Sequence, residues 1–182
     1  MRNVIFFDRD GTLIEDKIYL NDPEQVVYLP GVFEGLKKLR DFGYEFIIVT
    51  NQSGVPRGLV DHDNLMQIHK NIRTDFAKDG IDILNFYHAP FLVESNHHWR
   101  KPNPGMLEAG IKDFDVNIST AWMIGDRMTD VEAGHRAGMK SIFMHGTEEP
   151  KTDLYKEAEF NAQNFTEVSQ FIIENTSHPL PN

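Results

Sequence analysis

The chain contains no cysteine. That absence excludes disulfide scaffolds and thiolate metal sites, and it makes the cytoplasm the simplest expected compartment. No apolar run approaches the roughly 20 residues needed to span a bilayer, so no membrane partner is expected. The first residues run directly into a core-type strand, which reads as the lack of a signal peptide. Basic side chains are scarce: 18 Lys and Arg stand against 28 Asp and Glu, a net charge of −10. Such a balance argues against a nucleic-acid surface, which normally carries a basic face. It also means that any anion site must be locally basic against the overall field. There is no internal repeat, low-complexity stretch or linker. With 182 residues, 40% hydrophobic and 25% charged, the chain is expected to form one soluble domain over residues 1–182, working as a monomer.

What is present begins with Val4-Ile5-Phe6-Phe7-Asp8-Arg9-Asp10-Gly11-Thr12. Four apolar residues rich in β-formers read as a short buried strand. It ends in two carboxylates one residue apart. In extended chain, residues i and i+2 point to the same side, so Asp8 and Asp10 are expected to lean into one site. Two adjacent carboxylates repel unless a proton or cation lies between them. A hard cation such as Mg²⁺, bound through oxygen with room for a substrate phosphate, fits that requirement.

Beyond this point strand-like and helix-like segments alternate. Helical spacing of Val32, Leu36, Leu39 and Phe42 predicts a helix stopped by Gly43. A second strand covers Glu45–Val49 and is closed by Thr50-Asn51-Gln52-Ser53-Gly54. Leu65, Ile68, Ile72 and Phe76 mark a helix that Asp61 would cap and Gly80 would end. Strands are expected at Leu84–Tyr87, Ala121–Ile124 and Ser141–Met144. Helices are expected after Pro104, from Thr129 to Ala137, and from Phe165 to Glu174, before a polar end. The pattern predicts an α/β fold, with a parallel sheet covered by helices on both faces. Ligands in such folds bind beyond the carboxyl ends of the strands. Three expected strand tips carry polar groups there: Asp8/Asp10, Thr50/Asn51 and Asp126.

These parts suit phosphoryl transfer. A carboxylate can attack phosphorus to form an aspartyl-phosphate that water then hydrolyses, and Asp8 is the candidate nucleophile. Asp10 can protonate the leaving oxygen and later activate water. The charge of the transition state calls for Mg²⁺, an ammonium group and neutral donors. Lys101 is the candidate ammonium, Thr50 and Asn51 are donors, and Asp126 is a further metal ligand. Asp130, one helical turn on, could hold Lys101 or a water. Arg57, in a loop after Pro56, could clamp a second phosphate.

D-x-D-G-T at Asp8–Thr12, T-N at Thr50–Asn51, Lys101, and G-D-x-x-x-D at Gly125–Asp130 resemble, in order, the four motifs of the haloacid dehalogenase (HAD) phosphatase superfamily. More narrowly, D-R-D-G-T-L-I at Asp8–Ile14, T-N-Q-S-G-V-x-R-G at Thr50–Gly58 and R-K-P-N-P-G-M at Arg100–Met106 resemble the histidinol-phosphate and heptose-bisphosphate phosphatase family. The resemblance implies a Rossmann-like HAD core without a large cap domain. It implies a Mg²⁺-dependent phosphomonoester hydrolase acting on a small phosphorylated molecule. It makes Asp8 the nucleophile and Asp10 the acid/base, with Thr50 and Lys101 stabilising the phosphoryl group. Substrate contacts fall to Asp16, Tyr19, Asn51, Gln52, Ser53 and Arg100. The metal would be held by Asp8, the backbone carbonyl of Asp10, and Asp126.

One departure concerns the zinc loop that family members commonly carry just before R-K-P. Here that region holds His88, His97 and His98 but no cysteine. Structural zinc takes four well-placed ligands, and adjacent histidines suit one tetrahedral ion poorly. A zinc-free loop packed by Trp99 is therefore expected. Arg9, between the two carboxylates, is expected to point away from them and to act as an ion-pair partner. Lys17 and Arg127 read as surface cations, although Arg127, directly after Asp126, could also contact phosphate. His62, His69, His135 and His145 read as surface or edge residues. D-glycero-D-manno-heptose 1,7-bisphosphate is the leading expected substrate, because Asp16-Lys17-Ile18-Tyr19 resembles a D-x-x-Y pattern of those enzymes and a bisphosphate would engage Arg57 and Arg100. The alternatives are histidinol phosphate and a non-catalytic fold that binds a sugar phosphate or a partner. Polynucleotide 3′-phosphatase activity is disfavoured by the charge.

Overall fold

A computed structural model describes residues 1–144 and 155–176. The expectations for His145 and for the last part of the polar end fall outside the described residues. Six parallel strands form one sheet in the order β3-β2-β1-β4-β5-β6. They are β1 (Val4–Phe7), β2 (Glu45–Asn51), β3 (Ile83–Ala89), β4 (Trp122–Gly125), β5 (Lys140–Met144) and β6 (Phe160–Ala162). The helices are α1 (Val32–Asp41), α2 (His62–Lys78), α3 (Gly105–Phe114), α4 (Met128–Arg136) and α5 (Phe165–Glu174).

Alternation along the strands divides the core into two layers. Ile5, Phe7, Phe46, Ile48, Trp122 and Ile124 face one side, where they pack on Leu36 and Leu39 of α1, Ile68, Ile72 and Phe76 of α2, and Val168 and Ile172 of α5. Val4, Phe6, Ile47, Val49 and Met123 face the other, against Met106 and Leu107 of α3 and Ala133 of α4. Strands buried on both faces have to be continuously apolar, and β1 and β4 are buried throughout. The expected α/β architecture is therefore present, with helices on both faces and no large cap among the described residues. The sequence pattern missed β6, which pairs with β5 through Ile142–Met144. Three residues are too few to show a period, and only their tertiary pairing makes them a strand.

The topology also fixes where a ligand can bind. From β1 the chain winds outward to β2 and β3, then returns to the other side of β1 as β4. β1 and β4 are paired neighbours, with Phe7 beside Ile124. The crevice beyond their carboxyl ends is the topological switch point of the sheet.

Candidate active site

Asp8 leaves the end of β1 and Asp126 the end of β4, so the switch point holds two buried carboxylates. Asp130 enters from the first turn of α4, where its Oδ2 accepts the backbone N–H of Arg127 at 3.0 Å. That bond caps the helix. Lys101 reaches in from the loop between β3 and α3. Its ammonium lies 2.6 Å from Asp8 Oδ1 and 2.7 Å from Asp130 Oδ1, and it donates to the carbonyl of Val49 at 2.9 Å. All three donor directions of the ammonium are thus used. Its backbone is clamped as well: Asn51 accepts the Lys101 N–H and donates to the Lys101 carbonyl, both at 3.0 Å.

Gly11 is required at this point. It adopts φ +81°, and a Cβ there would lie 2.1 Å from Asp126 Oδ2. Any side chain would displace the carboxylate. Gly125 is constrained by the same crowding, since its Cβ would meet Asp130 Oδ2 at 2.2 Å.

The electrostatics follow from this crowding. Burial pushes the Asp8 carboxyl well above the ordinary range; the Lys101 ammonium opposes that rise, and Asp130, Asp126 and Asp10 add to it. Burial, then Asp130, raises Asp126 to about 7. Burial alone would lower Lys101, but Asp130 and Asp8 more than offset it and hold the ammonium above the usual lysine value. Both oxygens of Asp126 are buried without a hydrogen-bond partner. Buried carboxylate oxygens cost free energy unless something positive meets them. Ligand oxygens of Asp8, Asp126 and Asp130 lie within 4.8 Å of one another. This all-oxygen, electron-rich set fits a hard divalent cation, which would reverse the upward pull on the carboxylates.

Asp10 lies two residues beyond Asp8, past the end of β1. The chain bends at Arg9, so the extended-strand argument for a shared side ends at Phe7. Both carboxylates nevertheless line one cavity of about 620 Å³. Asp10 Oδ2 accepts from Thr50 Oγ1 at 3.3 Å and from Gln52 Nε2 at 3.2 Å, while Gln52 also donates to Thr50 Oγ1 at 2.8 Å. Two sequence expectations are corrected here. Arg9 does form an ion pair, but it folds back onto Asp10 itself instead of pointing away, with Nε 3.1 Å from Oδ2 and Nη2 3.0 Å from Oδ1. His69 is buried, not a surface residue, and its Nε2 lies 3.2 Å from Arg9 Nη1. The signal for His69 was its place in the stripe Leu65, Ile68, His69, Ile72, Phe76 of α2.

Asp16, Tyr19, Asn51, Gln52, Ser53 and Arg100 also line the cavity, with Asp130 and Lys101. The side-chain amide of Asn51 is spent on the Lys101 backbone. Arg100 is held by the Phe91 carbonyl at 3.1 Å. Arg57 is exposed and stands outside the lining, although its charge is felt at Arg100. Arg127, exposed and read from sequence as a surface cation that could contact phosphate, lines the cavity and pairs with Asp16 at 3.2 Å. Of the three histidines before Arg100, His88 lies on β3 and His97 and His98 in the loop, and each has separate surroundings. His97 stacks on Phe91 at 3.5 Å, His98 bonds Glu108 at 2.8 Å, and His88 sits near the rings of His62 and His69. Trp99 packs edge-on against Tyr87, with centroids 6.0 Å apart, at the margin of the α3/α4 layer.

A parallel sheet whose central tips carry an aspartate pair, a lysine bridging two carboxylates and an unpartnered third aspartate defines the HAD-like hydrolase class. A sequence model of HAD-hydrolase-like proteins matches residues 98–168. The chain is 34% identical over 176 residues to the D-glycero-α-D-manno-heptose-1,7-bisphosphate 7-phosphatase of Photorhabdus laumondii, covering 93% of this chain and 96% of that protein. It is 33% identical over 179 residues to the β-anomer 7-phosphatase of Pasteurella multocida, covering 94% and 97%. The crystal structure of D,D-heptose 1,7-bisphosphate phosphatase from B. bronchiseptica, complexed with magnesium and phosphate, superposes with a TM-score of 0.86 at 25% identity, covering 97% of this chain and all of that one. The chain belongs to this heptose-bisphosphate phosphatase family of HAD-like phosphomonoester hydrolases.

Proposed function

We propose that the chain removes the 7-phosphate of D-glycero-D-manno-heptose 1,7-bisphosphate in a Mg²⁺-dependent reaction through a phosphorylated Asp8. The observation that carries this reading is the buried triad at the switch point, where Lys101 bridges Asp8 and Asp130 beside an unpartnered Asp126. Asp8 attacks phosphorus as the bond to the sugar oxygen breaks. The electron pair leaves with that oxygen, which takes the proton carried by Asp10. Water then attacks the aspartyl-phosphate and gives a proton to Asp10, and the phosphorus–Asp8 bond opens to release inorganic phosphate. Lys101 and the Thr50 hydroxyl offset negative charge on the phosphoryl oxygens. Asp8, the Asp10 carbonyl and Asp126 would hold Mg²⁺, which supplies Lewis-acid neutralisation of phosphoryl charge. Asp130 keeps Lys101 charged and in place.

The rim supports a second anion on the substrate. Arg100 and Arg127 line the cavity, and Arg57 lies close enough to act on Arg100. Guanidinium groups suit bidentate contact with phosphate. Asp16, Tyr19, Gln52 and Ser53 complete the substrate-facing wall. The acidic, cysteine-free chain is read as a single-domain monomer working in the cytoplasm without structural zinc. Among the described residues, no helix is long and apolar enough to cross a membrane.

The test is a phosphate-release screen of purified protein over both anomers of the heptose bisphosphate, hexose bisphosphates, histidinol phosphate and nucleotides, with and without Mg²⁺. The expected result is the highest kcat/KM on one heptose 1,7-bisphosphate anomer, with dependence on Mg²⁺. A preference for histidinol phosphate, or equal rates across the panel, would overturn the substrate. No release from any ester would overturn the enzyme mechanism itself.

A further inference from the structure

Arg9 is among the largest fully buried side chains of the protein, at 1% exposure. A buried guanidinium needs its charge paired and its donors used. Its fork grips both oxygens of Asp10, through Nε at 3.1 Å and Nη2 at 3.0 Å. A third donor, Nη1, meets His69 Nε2 at 3.2 Å. Guanidinium nitrogens can only donate, so His69 Nε2 presents its lone pair and the ring is neutral, with its proton on Nδ1. Burial, and then the Arg9 charge, pushes His69 down to about 2, in agreement with that tautomer. The imidazole is itself fixed by stacking on Phe86, with centroids 4.7 Å apart at 23°. A continuous chain of contacts thus runs from Phe86 on β3, through His69 on α2 and Arg9 after β1, to the carboxylate that faces the cavity.

We propose that Arg9 and His69 are positioning residues for Asp10: the guanidinium holds the Asp10 carboxylate toward the reacting oxygen, and His69 holds the guanidinium. The inference rests on the reading of Asp10 as the group that passes the proton. Thr50 and Gln52 reach only Oδ2 of Asp10, whereas Arg9 reaches both oxygens. Arg9 is therefore the contact that fixes rotation of the carboxylate plane. His69 touches no cavity-facing part of this network except Arg9, so its effect on the reaction has to pass through that residue.

The chemistry provides a readout that a merely structural role would not move. A sugar oxygen is a poor leaving group and needs the proton of Asp10, whereas p-nitrophenolate leaves without one. His69→Phe removes the acceptor and keeps an aromatic ring on Phe86; His69→Gln keeps an acceptor near the position of Nε2. In His69→Phe, kcat on the heptose bisphosphate should fall by about tenfold, a fraction of the effect of a general acid, with KM within about twofold. Single-turnover release of p-nitrophenolate from p-nitrophenyl phosphate should stay within about threefold of wild type, because forming the phosphorylated Asp8 does not need the proton. His69→Gln should recover most of the lost kcat. Arg9→Lys, which keeps the charge and loses the fork, should show the same split more strongly. Thermal melts of each variant identify any that fail to fold, and the Gln and Lys variants keep the test open if Phe is not tolerated.

Asp10→Asn separates the two failures. If Asp10→Asn loses sugar-phosphate turnover and keeps p-nitrophenolate release, while His69→Phe and Arg9→Lys turn over at the wild-type rate or faster, the positioning role is wrong and the role of Asp10 stands. If Asp10→Asn leaves turnover intact, the underlying acid/base reading is wrong. Equal loss on both substrates in folded His69→Phe, or no difference between the Phe and Gln variants, would also sink the positioning role.

Discussion

The floor of the cavity and its rim are built from different materials. The floor consists of a strand tip, the loop between β3 and α3, and the first turn of α4: Asp8, Lys101 and Asp130, with Asp126 beside them, are each at most 7% exposed. Every one is fixed by a backbone position, a reciprocal bond or close packing. The rim consists of irregular segments. Ile18 and Tyr19 adopt positive φ values of 47° and 65°, and Ile18 and Val93 are 77% and 60% exposed. Arg57 and Arg127 are exposed. On the proposed mechanism, the contrast puts reaction chemistry on the floor, where burial makes each charge count for more. The same reading gives choice of substrate to the rim, where side chains can change without disturbing the core.

If that division holds, kcat belongs to the floor and KM to the rim. The largest effect expected is from Asp8→Asn, with loss of turnover by about 10⁴-fold or more in steady-state phosphate release, since the proposed mechanism makes Asp8 the nucleophile. Chelation of divalent metal should likewise bring turnover to background, with recovery on adding Mg²⁺; Asp126→Asn should raise the Mg²⁺ concentration needed by about tenfold or more. Next comes Lys101→Met. It leaves Asp8 and Asp130 facing each other without their shared cation, and should lower kcat by about 10³-fold. Denaturant melts of that variant should also show a loss of about 3 kcal/mol, since removing one partner strands buried charge.

On the rim, Arg100→Ala should raise KM for the bisphosphate by about tenfold, leave kcat within about threefold, and hardly affect a monophosphate. The smallest effect is expected from Arg57→Ala, about twofold in KM and less at high salt, because its charge acts from exposed ground. A rim variant that lowered kcat as heavily as Lys101→Met would break the comparison. So would a floor variant that changed only KM.

The two regions also differ in how far they could be read from sequence. Asp8, Thr50 and Asp126 follow short β-rich apolar runs that read as buried strands, so their convergence is implied by an alternating α/β pattern. Lys101 was legible through the R-K-P-N-P-G-M stretch and its resemblance to known phosphatases. On the rim, no periodicity ties Arg127 to Asp16, 111 residues away in sequence. Asn51 shows the same limit at the floor: the sequence marks it as a donor at a strand tip, and only the structure reveals that its amide is spent on the Lys101 backbone.

By itself the sequence determined the class of fold and which polar residues end its strands. Local propensity, two-residue alternation and residue type are properties that neighbours along the chain can express. The tertiary structure decided pairings between distant segments: Lys101 between Asp8 and Asp130, the unpartnered oxygens of Asp126, the three-residue strand β6, and the fold-back of Arg9 onto Asp10. A long side chain such as Arg9 has many rotamers, and its direction is set by what lies within reach once the core has closed. Here that was a neighbouring carboxylate on one side and, on the other, a histidine brought in by the buried stripe of α2. Asp8 and Asp10 were legible as a pair from the first motif, but the separate surroundings of each exist only in the folded chain.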